Sequence, residues 1–253
     1  MAKKVTGRTC IFCGAKADSK EHIFPDWINQ LILTTDFEGM AFTIERGKLI
    51  EQRTHRASKA AHVSARIVCG DCNHGWMSNL EGAARPLLGP LMVGEQTRLT
   101  TEQQLLAAHW AVKTAMVGEA IQYHRNSFSQ EDRDIVRGQG RPPLRARVSI
   151  AAYAMDEPFA TQYSRGLGKV LRNGTPFLDF YSHTIQVLHL VFSVRGTDTF
   201  AAADNRVLET IAEPRYMEIP LFPSVERCAW PPNLVMDHAS LLEYSGAHNL
   251  ELP

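Results

Sequence analysis

The chain has 253 residues with 27 basic and 27 acidic side chains, so its formal net charge at pH 7 is zero. Overall charge therefore gives no argument for a nucleic-acid partner, and no apolar run is long enough to predict a membrane-spanning helix. The length fits one large domain or two smaller ones with a sizeable core, so a bound metal would support the fold only locally. Because the N-terminus lacks the apolar segment of a signal peptide, we expect a cytoplasmic protein with no membrane partner.

The first predicted element is a tight turn at Cys10–Gly14, in which two residues separate two cysteines and a glycine follows. This spacing lets both sulfur atoms reach one metal ion. The segment Glu21-His22-Ile23-Phe24-Pro25 is predicted to be short and extended, because the residue before a proline avoids the helical region. A short helix is predicted from Pro25, with apolar side chains at helical spacing.

Three strands are predicted to follow this helix, at residues 41–45, 48–54 and 62–68. A second cysteine pair, Cys69–Cys72, then opens a helix that Pro86 and Pro90 are predicted to end or kink. Two such pairs in a cytoplasmic protein favour a metal over disulfides, and four thiolates are the closed set of structural zinc. The sequence therefore predicts a zinc ion bound by Cys10, Cys13, Cys69 and Cys72. The alternative is that the pairs stay apart as buried thiols.

The gap between the two pairs is much longer than the ~15–20 residues of ordinary zinc ribbons. Residues 26 to 62 are therefore expected to form an inserted subdomain. Beyond the second pair, a long helix is predicted over 102–123, where a capping box begins at either Thr100 or Thr101. Its apolar face is interrupted by Lys113 and is interpreted as core. A second helix is predicted around 130–137.

The C-terminal part is richer in strand patterns, predicted at residues 145–155, 159–163, 177–181 and 184–194. Glycine-rich turns are expected at 165–168 and 173–174, and a final helix at 237–244. The expected fold class is α+β: an N-terminal ββα-metal module with structural zinc, then helices, then a mixed region. The corresponding division is 1–90 for the module, 91–140 for a helical segment packed on it, and 141–253 for a C-terminal domain of unknown role.

The motifs of the first 85 residues resemble those of the HNH endonuclease family. That family often carries Cys-x-x-Cys, then Asp-His-Ile-x-Pro, then Cys-x-x-Cys-Asn at the start of a helix, and here Glu21-His22-Ile23-Phe24-Pro25 and Cys72-Asn73 stand in the same order. The resemblance implies two strands and a helix around one catalytic metal. It also implies that His22 is the general base and that Glu21 and Asn73 bind Mg²⁺ or Mn²⁺, while the zinc stays structural.

The chemistry of these residue types agrees with the resemblance. Histidine can activate water near neutral pH, and carboxylate and amide oxygens suit a hard divalent ion. Three features depart from the family pattern: Glu21 replaces the usual Asp, Ser64 stands where an asparagine is common, and neighbouring strand residues point oppositely. The alternatives are that His22 forms a hydrogen bond within a loop and that Asn73 is a helix N-cap.

A basic strip between Arg46 and Arg66 gives the sequence its local positive charge. Its two interpretations are a phosphate-binding surface and an ordinary solvated face. If the strip is a phosphate-binding surface, Arg53, Arg56 and Arg66 contact DNA. His74 either contacts DNA with them or faces solvent. The expected function is a metal-dependent endonuclease that hydrolyses DNA, in a bacterial or phage defence or mobile-element context. The alternative is a non-catalytic zinc-stapled module that binds nucleic acid or protein.

Overall fold

The computed structural model describes residues 8–32, 38–45, 48–56, 64–122, 127–156, 159–197, 207, 209, 211, 218–226, 228–245 and 250–251. Within these, residues 38–45, 48–56, 159–160 and 250–251 are described by their backbone. No helix in these ranges combines the length and the apolar character that crossing a membrane requires. The fold is mixed α+β, as the sequence predicted.

A short antiparallel strand pair leads into a helix in the N-terminal part. Strand β1 (Ser19–His22) pairs with β4 (Ser64–Val68), and between them in sequence lie helix α1 (Asp26–Ile32) and a hairpin. The hairpin strands are β2 (Glu38–Glu45) and β3 (Lys48–Arg56). Helix α2 follows β4 directly and comprises Gly70–Cys72, a wider turn at Asn73–Met77, and Ser78–Met92. The short helix and three strands predicted here are confirmed.

Pro86 and Pro90 were predicted to end or kink helix α2; the helix continues through both to Met92, so the prolines do not end it. Each proline removes one backbone N–H and costs the helix a hydrogen bond. Leu88, Leu91 and Met92 are fully buried around and beyond these prolines. Burying each such side chain stabilises the fold by about 1.5–3 kcal/mol, which offsets the lost bonds.

Two further helices occupy the middle of the chain, α3 (Thr101–Gln122) and α4 (Gln130–Gln139). At the start of α3 the Thr100 N–H donates to Gln103 Oε1 at 2.9 Å, and the Gln103 N–H donates to Thr100 Oγ1 at 3.2 Å. These reciprocal bonds form the capping box that was predicted from Thr100. The helix predicted from the apolar spacing of residues 102–123 is confirmed.

One large mixed sheet forms the C-terminal half. It contains β6 (Ala146–Tyr153), β7 (Phe159–Arg172), β8 (Thr175–Val187), β9 (Leu190–Thr197) and β10 (Ile219–Phe222). The strand order is β10-β6-β9-β8-β7-β2-β3. Strand β2 runs parallel to β7, with Glu38–Glu45 opposite Phe159–Leu167. The N-terminal hairpin is therefore part of the C-terminal sheet.

Short elements complete the fold at the margins of the sheet. Strand β5 (Thr97–Leu99) pairs with β11 (Cys228–Trp230), while β12 (Val235–Met236) and β13 (Leu250–Glu251) lie parallel to β6 and β7. The last helix, α5 (His238–Ser245), is the predicted C-terminal helix.

Two predictions for the C-terminal strands are wrong. Residues 165–168 form no turn, because they lie inside β7 and pair with β8 on one side and, through residues 165–167, with β2 on the other. The strand predicted over 184–194 is divided by a turn at Leu188 and His189, where Leu188 has φ of 50°. Contacts from distant segments hold this turn, since the His189 N–H donates to Met92 O at 3.0 Å and His189 Nδ1 lies 3.0 Å from Tyr153 O.

Helix α3 covers one face of the sheet. Its Trp110 ring lies 5.5 Å from the Phe192 ring, and the Tyr163 hydroxyl on β7 donates to Ala115 O at 3.0 Å. On the other face, Leu241 and Tyr244 of α5 belong to a separate buried apolar cluster. The core beneath α3 extends without interruption to the N-terminal strand pair and its cysteines.

Candidate functional site

The four cysteines of the two Cys-x-x-Cys pairs come together at one point. Their sulfur atoms all lie within 4.8 Å of one another, and those of Cys13 and Cys69 are 3.4 Å apart. A zinc tetrahedron with Zn–S bonds of about 2.3 Å has sulfur–sulfur edges of about 3.8 Å. The cluster therefore fits a metal ion such as Zn²⁺, as the sequence predicted. Among the described residues, it is the group of His, Cys, Asp and Glu side chains that gathers closely enough to hold an ion.

The first cysteine pair is shaped by a tight backbone turn. Gly14 has φ of 74°, a backbone conformation that residues with a side chain rarely adopt. Its N–H donates to Cys10 O at 2.9 Å. The turn is tied to β4, because the Ile11 N–H donates to Ile67 O at 2.9 Å. It is also tied to α4, where Gln130 Nε2 donates to Phe12 O at 3.1 Å. The turn thus meets both the second pair and the helical segment.

The surroundings of the thiols differ from one cysteine to the next. Burial alone would raise the pKa of Cys10, but the backbone N–H groups of Cys69, Phe12 and Cys13 bring it down to about 7. Burial raises the pKa of Cys72, and the Trp76 indole N–H opposes that rise. Since zinc binds thiolates, the backbone N–H groups that lower the pKa of Cys10 favour the metal-bound form of that thiol.

Helix α2 is joined to β1 by the Asn73 side chain. Asn73 Nδ2 donates to Ser19 Oγ at 2.8 Å and to Lys20 O at 2.9 Å. The amide is therefore a donor to the strand and does not act as an N-cap, in which the side chain accepts. Because Lys20 directly precedes Glu21 and His22, Asn73 lies beside the part of β1 that carries both.

His22 and Glu21 lie at the end of β1, opposite Ser64 and Ala65 of β4. Taken as whole residues, both are half-buried. The Glu21 carboxylate lies towards α3, with Oε1 3.9 Å from Lys113 Nζ, and only 13% of the Glu21 side chain is exposed. Ser64 faces His22 across the strand pair, at the position where the family resemblance calls for an asparagine.

Behind Glu21 lies a group of four side chains, Trp27, Glu81, Trp110 and Lys113, here called the Glu81 cluster. Trp110 and Lys113 are buried, and Trp27 and Glu81 are half-buried. The Trp27 and Trp110 indole N–H groups each donate to Glu81 Oε2 at 2.9 Å. The Lys113 ammonium forms an ion pair with Glu81 Oε1, and its side chain is 1% exposed. Both oxygens of Glu81 are therefore occupied by donors from α1 and α3.

The electrostatics of this region pair two carboxylates, Glu21 and Glu81, with the Lys113 ammonium. Burial raises the pKa of the Glu21 carboxyl to about 6; the carboxylates of Glu81 and Asp26 add to the rise, and Lys113 opposes it. Burial alone would lower the pKa of Lys113, but Glu81 and Glu21 outweigh it and raise that pKa. Two carboxylates thus share one ammonium, which favours a further cation beside Glu21.

The basic residues predicted to contact DNA are divided between two sheets and helix α2. Arg66 is exposed on β4 opposite Lys20, and His74 is exposed on the wider turn of α2. Arg53 and Arg56 belong to β3 of the large sheet, opposite Ala41 and Glu38. The side chains of β3 lie outside the described part of the structure.

Sequence reasoning missed the role of the Glu81 cluster. The sequence pattern indicates Lys113 only as an interruption of a core face. The signal was present, because a lysine within an apolar helical face needs a buried anionic partner. What the sequence lacked was the identity of that partner, since Glu81 lies on another helix.

Comparisons of the chain with protein-family models, with curated proteins and with solved structures found no match. The chemistry of the site is therefore inferred from its own residues.

Proposed function

We propose that the protein is a metal-dependent endonuclease that hydrolyses DNA phosphodiester bonds, with structural zinc at the four cysteines. The observation that supports this most is the junction of β1 and α2. The amide of Asn73 binds the Lys20 carbonyl, which places a metal-binding type of side chain beside the adjacent Glu21 and His22. The antiparallel pair of β1 and β4, followed by helix α2, also supports the proposal.

His22 is the general base in this proposal. It takes a proton from water, the water oxygen attacks phosphorus, and the bond from phosphorus to the leaving sugar oxygen breaks. The leaving oxygen then takes a proton from solvent. Histidine suits this role because its ordinary pKa lies near neutral pH.

Glu21 and Asn73 are the proposed ligands of Mg²⁺ or Mn²⁺. The Glu21 carboxylate shares the Lys113 ammonium with Glu81, and the Asn73 NH₂ group already donates to Ser19 and Lys20. This leaves the Asn73 side-chain oxygen to act as a ligand, and carboxylate and amide oxygens suit these hard ions. When bound, the ion supplies positive charge to the phosphate and the leaving oxygen.

The four cysteines hold the site together and take no part in the reaction. Zinc at this position would join the turn before β1 to the start of α2. Strand β1 carries Glu21 and His22, and the start of α2 carries Asn73. DNA is the proposed partner, with phosphate contacts from Arg66, His74, Arg53 and Arg56. Such contacts add affinity without reading sequence.

Plasmid nicking with Mg²⁺ or Mn²⁺ tests the proposal. We expect His22→Ala to reduce cleavage by about 10²–10⁴-fold, the usual contribution of a general base, while zinc content and DNA binding persist. Asn73→Ala should also lose activity and require more divalent ion, because it removes a ligand. His238→Ala on α5 is the matched histidine control and should cut like the unmodified protein.

Two results would change the conclusion. If the unmodified protein cuts neither single- nor double-stranded nucleic acid with any divalent ion, a non-catalytic zinc-stapled binding module becomes the better interpretation. If it cuts and His22→Ala cuts equally well, the reaction centre lies elsewhere in the chain.

A further inference from the structure

The Glu81 cluster contains a buried cation that competes for the proposed metal ligand. Lys113 Nζ contacts Glu81 Oε1 directly but lies 3.9 Å from Glu21 Oε1. An ammonium and a divalent ion seek the same carboxylate oxygens. Lys113 lies between two carboxylates and is closer to Glu81 than to Glu21.

We propose that Glu81 is a positioning residue that keeps the Lys113 ammonium away from Glu21, so that Glu21 can bind the divalent ion. This inference rests on the proposed function, in which Glu21 is a metal ligand. It assigns Glu81 no contact with metal or substrate. Its effect on the metal is exerted through Lys113.

The hydrogen bonds distinguish the supporting carboxylate, Glu81, from the proposed ligand, Glu21. Glu81 has both oxygens occupied, one by the two indole N–H groups and the other by Lys113. Its plane is fixed by donors from α1 and α3. Glu21 has one long ion pair to the same lysine. Of the two, Glu21 is the carboxylate that is able to take a further cation.

Lys113 has little room to move independently of Glu81. Its side chain is 1% exposed, and its ammonium lies 5.9 Å from the centre of the Trp110 ring. A buried ammonium must remain near a carboxylate, because leaving it unpaired is costly. If Glu81 loses its charge, the nearest alternative anion is Glu21.

Glu81→Gln isolates this effect. The glutamine keeps an oxygen that can accept from Trp27 and Trp110, but it removes the charge that holds Lys113. Lys113 should then pair with Glu21 and compete with the metal. The loss of one negative charge acts in the same direction. We expect the Mn²⁺ concentration for half-maximal binding to rise by about 10–100-fold, as for other residues that orient metal ligands.

The double variant Glu81→Gln/Lys113→Met provides the rescue. It removes the competing ammonium together with its counter-charge, so the local charge returns to that of the unmodified protein. Replacing a buried ion pair by well-packed apolar side chains of similar volume is often neutral or stabilising, and methionine is such a replacement for Lys113. We expect Mn²⁺ binding within about threefold of the unmodified protein, and a structural defect at position 81 would not be repaired in this way.

The measurement is free Mn²⁺ by electron paramagnetic resonance, on zinc-loaded protein without DNA. Nicking titrated with Mn²⁺ adds a second readout: Glu81→Gln should need more Mn²⁺ and reach a near-normal rate at saturation. Zinc content and thermal unfolding show whether each variant is folded. If Glu81→Gln does not fold, Lys113→Met alone decides, because the proposal requires it to bind Mn²⁺ at least as tightly as the unmodified protein.

The outcomes separate this inference from the proposed function. If Glu21→Ala binds Mn²⁺ as well as the unmodified protein, the metal site of the proposed function is wrong. If Glu21→Ala loses Mn²⁺ but Glu81→Gln binds it normally, the positioning role of Glu81 is overturned. The positioning role is also overturned if Glu81→Gln binds Mn²⁺ more weakly and the double variant binds it equally weakly. It is overturned as well if Lys113→Met binds Mn²⁺ more weakly than the unmodified protein.

Discussion

Removing the cysteines of the first pair should release the metal and loosen the N-terminal part of the fold. The double variant Cys10→Ser/Cys13→Ser leaves Cys69 and Cys72 in place but breaks the connection between two distant segments. Cys13 and Cys69 are separated by 56 positions in the chain. A cross-link that closes a loop of this length stabilises a protein by about 4 kcal/mol, because it reduces the conformational entropy of the unfolded chain.

That free energy converts into a measurable change in melting temperature. For a protein of this size, 1 kcal/mol corresponds to about 2–4 °C, so we expect the midpoint to fall by about 8–16 °C. The assay is thermal unfolding followed by tryptophan emission, with metal content measured by elemental analysis after dialysis. Chelation of the unmodified protein should give a similar fall, because metal binding and folding of this part are coupled.

Cys228 supplies the matched control. It is a buried thiol outside the metal cluster, and burial raises its pKa to about 11. Cys228→Ala should keep one equivalent of zinc. Retention of a full equivalent by the double variant, or a midpoint no lower than that of Cys228→Ala, would refute the reasoning.

Two further predictions concern the C-terminal sheet. Burial holds the pKa of His183 below its ordinary value of 6.5, so the unfolded chain binds more protons there than the folded protein. The free energy of unfolding should therefore fall as pH drops below about 6.5. In urea titrations at pH 7 and pH 5, His183→Gln should show a smaller difference in this free energy than the unmodified protein. An equal difference in both proteins would contradict the prediction. A Cβ at Gly118 would overlap the Tyr163 ring, whereas one at Gly82 meets nothing within 4 Å. Gly118→Ala should cost about 1–3 kcal/mol and Gly82→Ala should be neutral or stabilising, measured by the same titrations; equal effects would be inconsistent with this packing.

The candidate site was predictable where the information is local. Two residues between cysteines already specify a metal-binding turn, and the order of Cys13, His22 and Asn73 indicated which segments should meet. The strands beside them follow from short extended patterns with turn residues between. These features depend on neighbouring residues, so the sequence alone contains them.

The remaining features depend on distant partners. Leu188 adopts a left-handed turn inside an apolar run because His189 bonds to Met92 and Tyr153, which no local pattern reveals. Residues 165–168 stay extended because strands on both sides bind them, which overrides the usual tendency of glycine to form turns. Lys113 is buried only because Glu81 meets it from another helix.

The parallel pairing of β2 with β7 affects how the protein is made. The hairpin of residues 38–56 leaves the ribosome well before residues 159–167, its partner in the sheet. About 100 residues separate them, and at about 5–20 residues per second the hairpin waits about 5–20 s for β7. During that time one edge of β2 has no neighbour, and such edges are prone to pair with other chains. Slower translation across residues 57–158 should therefore lower the soluble yield, and chaperone supply during that interval should restore it.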